Sequence, residues 1–311
     1  MHKHIRVAGL ALAMALTSAT LACARSDEDF AQERAKVKTS VGYAASYAKP
    51  LAKPPKGVFQ RVAYASPVGQ LGAYVTPDPG DGKKHPAIIW TTGGESNSVS
   101  DVWTPAPRDN DQNATAYRQA GVVTMFPSLR GGNDNPGKIE GMFGEIDDIL
   151  AAADYLATLP YVDSSRIYLG GHSTGGTLVM LTAEASDRFR AVFSIGPVAT
   201  ARSYPPQFMP IDFKALPAWE ERLRAPIEWL PSVKGRLLVV EAERGNIGPL
   251  RAMRKANQNS NISFLEFAGT NHFSDLAPLN AVLARKILAD TGASTNITLT
   301  EDELQAALAA Q

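Results

Sequence analysis

The sequence predicts a doubly wound α/β domain whose sheet is mostly parallel and whose N-terminal strands run antiparallel. Short apolar runs alternate with helix-compatible segments from Ala87 onward, the pattern of βαβ units. Those runs are apolar almost throughout rather than at every second position, as strands covered on both faces are. The stretch "YLGGHSTGGTLV" from Tyr168 to Val179 reads as strand, glycine-crowded turn and helix. At 311 residues, 44% hydrophobic and 20% charged, the chain is long enough to bury a full core.

The first 24 residues stand apart. Positive charge at Lys3 and Arg6 precedes an almost uncharged apolar stretch from Val7 to Ala22, and Ala22-Cys23-Ala24 supplies the small residues a signal peptidase favours. The stretch is short for a membrane span of ~20 residues and has no stop-transfer flank. It reads as an export signal cleaved after Ala24, which directs the protein to the periplasm or out of the cell. Lipidation at Cys23 is the alternative. Cleavage after Ala24 removes the only cysteine, which excludes a disulfide, a thiol mechanism and a cysteine zinc site in the mature chain. Residues 25–57, with "KPLAKPPK" from Lys49 to Lys56, form an N-terminal arm or linker.

The main α/β domain is expected to span residues 58–292. Val58–Ala65 and Gln70–Val75 have strand character, and Ser66–Gly69 between them suggests a hairpin. Strands follow at Ala87–Trp90, Val122–Phe126, Arg166–Leu169, Ala191–Ile195, Leu237–Val240 and Ile262–Phe267. Helices are expected near Ala114–Ala120, Glu145–Leu159, Thr174–Ala185, Pro249–Asn257 and Asp275–Ala289. Residues 201–234, rich in proline and carrying two tryptophans, form an insertion with the character of a lid. Residues 293–311 hold a C-terminal helix, for which Thr300 and Glu303 have capping-box spacing.

Gly171-His-Ser-Thr-Gly175 fits G-x-S-x-G, in which a serine occupies a strained strand-to-helix turn. No P-loop lysine follows, and the spacing does not suit a dinucleotide fingerprint. Of the five histidines, His2 and His4 leave with the signal, His85 precedes the serine, and His172 adjoins it and cannot fold back to take its proton. His272, in a turn after the last strand, is left as the base, in the chain order serine, acid, histidine. Backbone N–H groups of Thr174 and Gly94 are the expected oxyanion donors, Gly94 because "TGGE" follows an early strand. The acid is less clearly marked, since "EAERGNIGP" from Glu241 to Pro249 contains no aspartate. Glu243, just past the expected strand end, is the first choice; Glu241 or Asn246 are the alternatives.

These motifs together resemble the prolyl-oligopeptidase-type branch of the α/β-hydrolases, near its dienelactone-hydrolase-like and single-domain esterase members. Beyond the serine, the resemblance rests on "PSLRGGN" (Pro127–Asn133), "EIDD" followed by "AAADYL" (Glu145–Leu156), and "YVDSSRI" (Tyr161–Ile167). The missing acid aspartate and Ala242, where glycine is usual, depart from the pattern. The resemblance implies a serine hydrolase without metal or organic cofactor. Peptidases of the family carry a large β-propeller before the hydrolase domain; here only residues 25–57 are available, so an ester is expected ahead of a short peptide as substrate. The alternative is an inactive hydrolase fold that binds a ligand. The balanced charge, 31 basic against 31 acidic residues, disfavours nucleic acid or an anionic membrane surface as partner.

Overall fold

The computed structural model describes residues 28–45 and 49–310. The expected export signal and Cys23 lie outside the described residues. Eight strands form one sheet: β1 (Gln60–Ser66), β2 (Gly69–Val75), β3 (His85–Thr91), β4 (Val123–Pro127), β5 (Val162–His172), β6 (Ala191–Ile195), β7 (Arg236–Arg244) and β8 (Ile262–Asn271). Their order across the sheet is β1-β2-β4-β3-β5-β6-β7-β8. β1 pairs with β2, and β2 with β4, antiparallel; the remaining neighbours are parallel. The mostly parallel sheet with an antiparallel N-terminal edge is therefore present.

Helices cover both faces, as the buried interior strands β3, β4 and β6 require. They are α1 (Phe30–Ala35), α2 (Thr115–Gln119), α3 (Glu145–Thr158), α4 (Thr174–Ala185), α5 (Ala218–Arg222), α6 (Ile247–Ala256), α7 (Leu276–Ala289) and α8 (Glu301–Ala309). One buried cluster joins Ile89, Leu169 and Val239 to Ile149 and Leu178. The opposite cluster joins Ile88, Tyr168 and Leu238 to Tyr117 and Leu283. α8 begins with the expected capping box, Thr300 and Glu303 each satisfying the other's backbone N–H.

The insertion is not uniform. Its later part is core: Trp229 is buried against Phe30 at a ring-centroid distance of 5.1 Å. Arg224, fully buried, bonds Glu220 at 3.1 Å and the carbonyls of Gly141 and Glu140 at 2.9 Å. Its earlier part carries the exposed Phe208 beside the buried Met209 and Phe213.

Glu184 of α4 is a cost of the buried helix. Its two carboxylate oxygens are buried and have no hydrogen-bond partner, and burial pushes the carboxyl well above the usual range. The folded chain then keeps a proton that the unfolded chain loses, so stability falls as pH rises above the unfolded value. Glu184→Met is expected to melt higher than the parent, with a gap that widens from pH 4 to pH 8. A gap independent of pH would mean that Glu184 is ionised in the folded state.

Candidate active site

The serine motif forms the elbow its glycines predict. β5 ends at His172, α4 starts at Thr174, and Ser173 between them has φ 56° and ψ −117°, a strained conformation for a residue with a side chain. Two bonds hold the turn: Ser173 N–H donates to Ile195 O at 2.8 Å, and Ser173 O accepts from Thr177 N–H at 2.9 Å. Gly175 is required by close approach, since a Cβ there would lie 2.5 Å from Thr91 O at the end of β3.

His272 follows β8 in a turn built by Asn271, whose Oδ1 accepts from Phe273 N–H at 3.0 Å and Ser274 N–H at 3.1 Å. The turn brings the His272 ring to 4.6 Å, centroid to centroid, from that of His172, the residue before the nucleophile. His272 Nδ1 lies 3.5 Å from Oε1 of Glu241, whose side chain is fully buried. That separation exceeds an ordinary N–H···O bond, and His272 Nδ1 has no hydrogen-bond partner among the described residues; catalytic hydrogen bonds are often long in the absence of substrate.

Glu243, expected to face the imidazole, does not. The strand expected to stop at Val240 runs on to Arg244, with its pairing to β8 irregular between Ala242 and Arg244. In a regular strand residues 241 and 243 would share a face. The irregularity separates them: Glu241 stays buried, while Glu243 is exposed and accepts Gly269 N–H at 2.9 Å. Asn246 is used elsewhere, its Nδ2 donating to Gly196 O at 3.1 Å. Gly245 clears the room Glu241 needs, because a Cβ at that position would overlap Glu241 Oε1. Glu241 Oε1 also accepts Ala242 N–H at 2.8 Å. A second buried carboxyl, Asp275, is pushed well above its usual range by burial and then by the charge of Glu241.

Thr174 and Gly94, the expected oxyanion donors, lie against each other. Thr174 opens α4, and the first N–H groups of a helix have no partner within it. Its hydroxyl donates to Gly94 O at 2.8 Å, tying the loop after β3 to the elbow. Gly94 has φ +82°, which glycine adopts without strain. Gly93 N–H is engaged by Gln112 Oε1 at 3.1 Å, so of the two glycines Gly94 has its N–H free for a ligand.

Three features had no signal in the sequence. Tyr204, from the insertion, bonds Thr177 Oγ1 at 2.7 Å, and burial pushes its hydroxyl far above the usual phenol range, with the Ser173 hydroxyl among its neighbours. The N-terminal arm reaches the site: Tyr43 pairs with Ile139 through bonds of 3.1 and 2.9 Å, while Thr39 and Ser40 donate to the Glu220 carboxylate. Beside Thr174 is a cavity lined by Tyr43, Glu95, Glu145, Leu178, Phe208 and Met209. Glu145 Oε1 accepts Asn97 Nδ2 at 3.1 Å and Glu140 N–H at 2.6 Å, its Oε2 has no partner, and burial raises its carboxyl pKa. These contacts join residues from the arm, the insertion and α3, distant in sequence, so no local pattern could announce them. Among the described residues no group of three or more histidine, cysteine, aspartate or glutamate side chains could hold a metal ion. No helix among them is long and apolar enough to cross a membrane.

A parallel sheet carrying a serine on the elbow after β5, with a histidine after the last strand, defines the α/β-hydrolase fold. Residues 108–240 match the sequence model of the prolyl oligopeptidase family. The chain is similar to dipeptidyl-peptidase 5 of Porphyromonas gingivalis, 32% identical over 123 residues, which cover 38% of this chain and 17% of that protein. Among solved structures it is similar to P. gingivalis dipeptidyl peptidase 4 (TM-score 0.54, 21% identity, covering 69% of this chain and 32% of that one). A puromycin-hydrolyzing peptidase of Mycobacterium tuberculosis is also similar (TM-score 0.57, 19% identity, covering 76% of this chain and 41% of that one). The chain thus spans well under half the length of each.

Proposed function

We propose that this chain is a serine hydrolase that cleaves short peptides through an acyl-enzyme, and esters of similar shape by the same route. Ser173 on its strained elbow, the His272 ring 4.6 Å from that of the adjacent His172, and the buried Glu241 3.5 Å from His272 Nδ1 carry this reading. Ser173 Oγ attacks the carbonyl carbon while His272 takes its proton. The negative charge that develops on the carbonyl oxygen is held by the N–H groups of Thr174 and Gly94. His272 then returns the proton to the leaving amine or alcohol as the C–N or C–O bond breaks. Water, deprotonated by His272, releases the acid from Ser173. Glu241 keeps the imidazole oriented and stabilises its positive charge.

The names of the relatives, dipeptidyl and puromycin-hydrolyzing peptidases, favour an amide over the ester expected from the sequence alone. The cavity beside Thr174, walled by Tyr43 of the arm, suits a short substrate. The charged, then apolar, leader from Met1 to Ala24 supports export. Substrate class is tested by measuring kcat/KM on dipeptidyl and aminoacyl nitroanilides beside nitrophenyl esters of matched acyl groups. Turnover of the short-chain anilides is expected. Ester turnover with none on any anilide would assign the site to esters instead.

A further inference from the structure

Outside the three catalytic groups, a file of hydrogen bonds crosses the site from one loop to another. Gly93 N–H donates to Gln112 Oε1 at 3.1 Å, Gln112 Nε2 faces His172 Nδ1 at 2.8 Å, and His172 Nε2 lies 2.6 Å from the backbone carbonyl of His272. The bonds assign one another. Because Gln112 Oε1 accepts from Gly93, its amide nitrogen must be the atom facing His172, and that nitrogen also donates to Asn110 Oδ1 at 3.2 Å. His172 Nδ1 is therefore an acceptor, and the ring's proton is on Nε2, donated to the His272 carbonyl. Only the neutral ring in this tautomer satisfies both neighbours. The environment holds it so: His172 is fully buried, and burial together with the adjacent His272 pushes its pKa down to about 3.

Gln112 is itself anchored, its backbone carbonyl accepting Trp90 Nε1–H from β3 at 3.1 Å. A Cβ on Gly93 would lie 3.0 Å from both His172 Nδ1 and Ser173 Cβ, so the oxyanion loop is already packed against the elbow. We propose that Gln112 and His172 are positioning residues, which fix the backbone of the His272 turn relative to the nucleophile elbow and the Gly93–Gly94 loop. This rests on the reading of Ser173 and His272 as nucleophile and base. It assigns the residue before the nucleophile a task distinct from packing: the turn that carries His272 is held in register with the elbow because the His272 carbonyl is bonded to the nucleophile's neighbour.

The test uses the full chain, with Gln112→Leu, His172→Phe and His172→Gln. Phenylalanine keeps the ring volume and loses both bonds; glutamine keeps an N–H donor for the His272 carbonyl. For Gln112→Leu and His172→Phe, kcat and the rate of fluorophosphonate labelling are expected to fall by 10- to 100-fold with KM changed less than about threefold, and His172→Gln should recover part of the loss. Melting temperatures are read alongside. Activity that follows melting temperature rather than the capacity to bond, or Gln112→Leu labelled at the parental rate, would overturn the positioning role while leaving the hydrolase reading standing. A parent chain that takes no label would remove both.

Discussion

Ser173→Ala is expected to abolish turnover of every substrate the parent cleaves, with kcat lower by roughly 10⁶, as when the nucleophile of a serine hydrolase is removed. The fold should survive. Ser173 follows the C-terminal end of the interior strand β5, before α4, its two backbone bonds to Ile195 and Thr177 do not involve the side chain, and alanine keeps the β-carbon that the turn already accommodates. Circular dichroism and the melting temperature should therefore be close to those of the parent. Turnover retained within tenfold would mean that the acyl group is never carried by Ser173.

Glu241→Gln is expected to have the next largest effect, a loss of about 10⁴ in kcat, the cost of replacing the triad carboxylate by an amide that leaves the histidine in the wrong tautomer. The carboxylate is buried, lies beside His272 Nδ1 at 3.5 Å, and occupies the space left by Gly245. Glu243→Gln should cost less than tenfold, or about 1.4 kcal/mol of barrier, because that side chain braces Gly269 at the surface. Equal losses for the two variants would place the acid function on neither.

Much of this was legible in the sequence for physical reasons. Strands buried on both faces must be apolar throughout, so Ala87–Trp90 and Ala191–Ile195 announced themselves, the latter matching the strand's observed bounds. The elbow was legible because close approach of backbone to backbone requires glycine at 171 and 175, and His272 because so few histidines follow the serine. The acid was not. Glu241 and Glu243 differ by two residues, and their assignment depends on where β7 ends and on one irregular pairing with β8. A strand end is set by its neighbour, here the extension of β8 to Asn271, and not by the residues of β7 alone. Tyr43, Gln112 and Tyr204 were illegible for a related reason. Each enters the site from a loop whose course is set by tertiary contacts rather than by periodicity. The insertion illustrates the same limit: its proline content marked it as irregular, but not that Arg224 and Trp229 belong to the core.

The central claim, that Ser173 is an activated nucleophile served by His272 and Glu241, is tested most directly by intact-mass and peptide-mapping measurements after incubation with a fluorophosphonate. The account predicts one adduct per chain, mapped to Ser173, formed rapidly by the parent and orders of magnitude more slowly by Glu241→Gln. A folded parent that remains unlabelled, or an adduct on another residue, would contradict it and leave a hydrolase fold without hydrolase chemistry at this site.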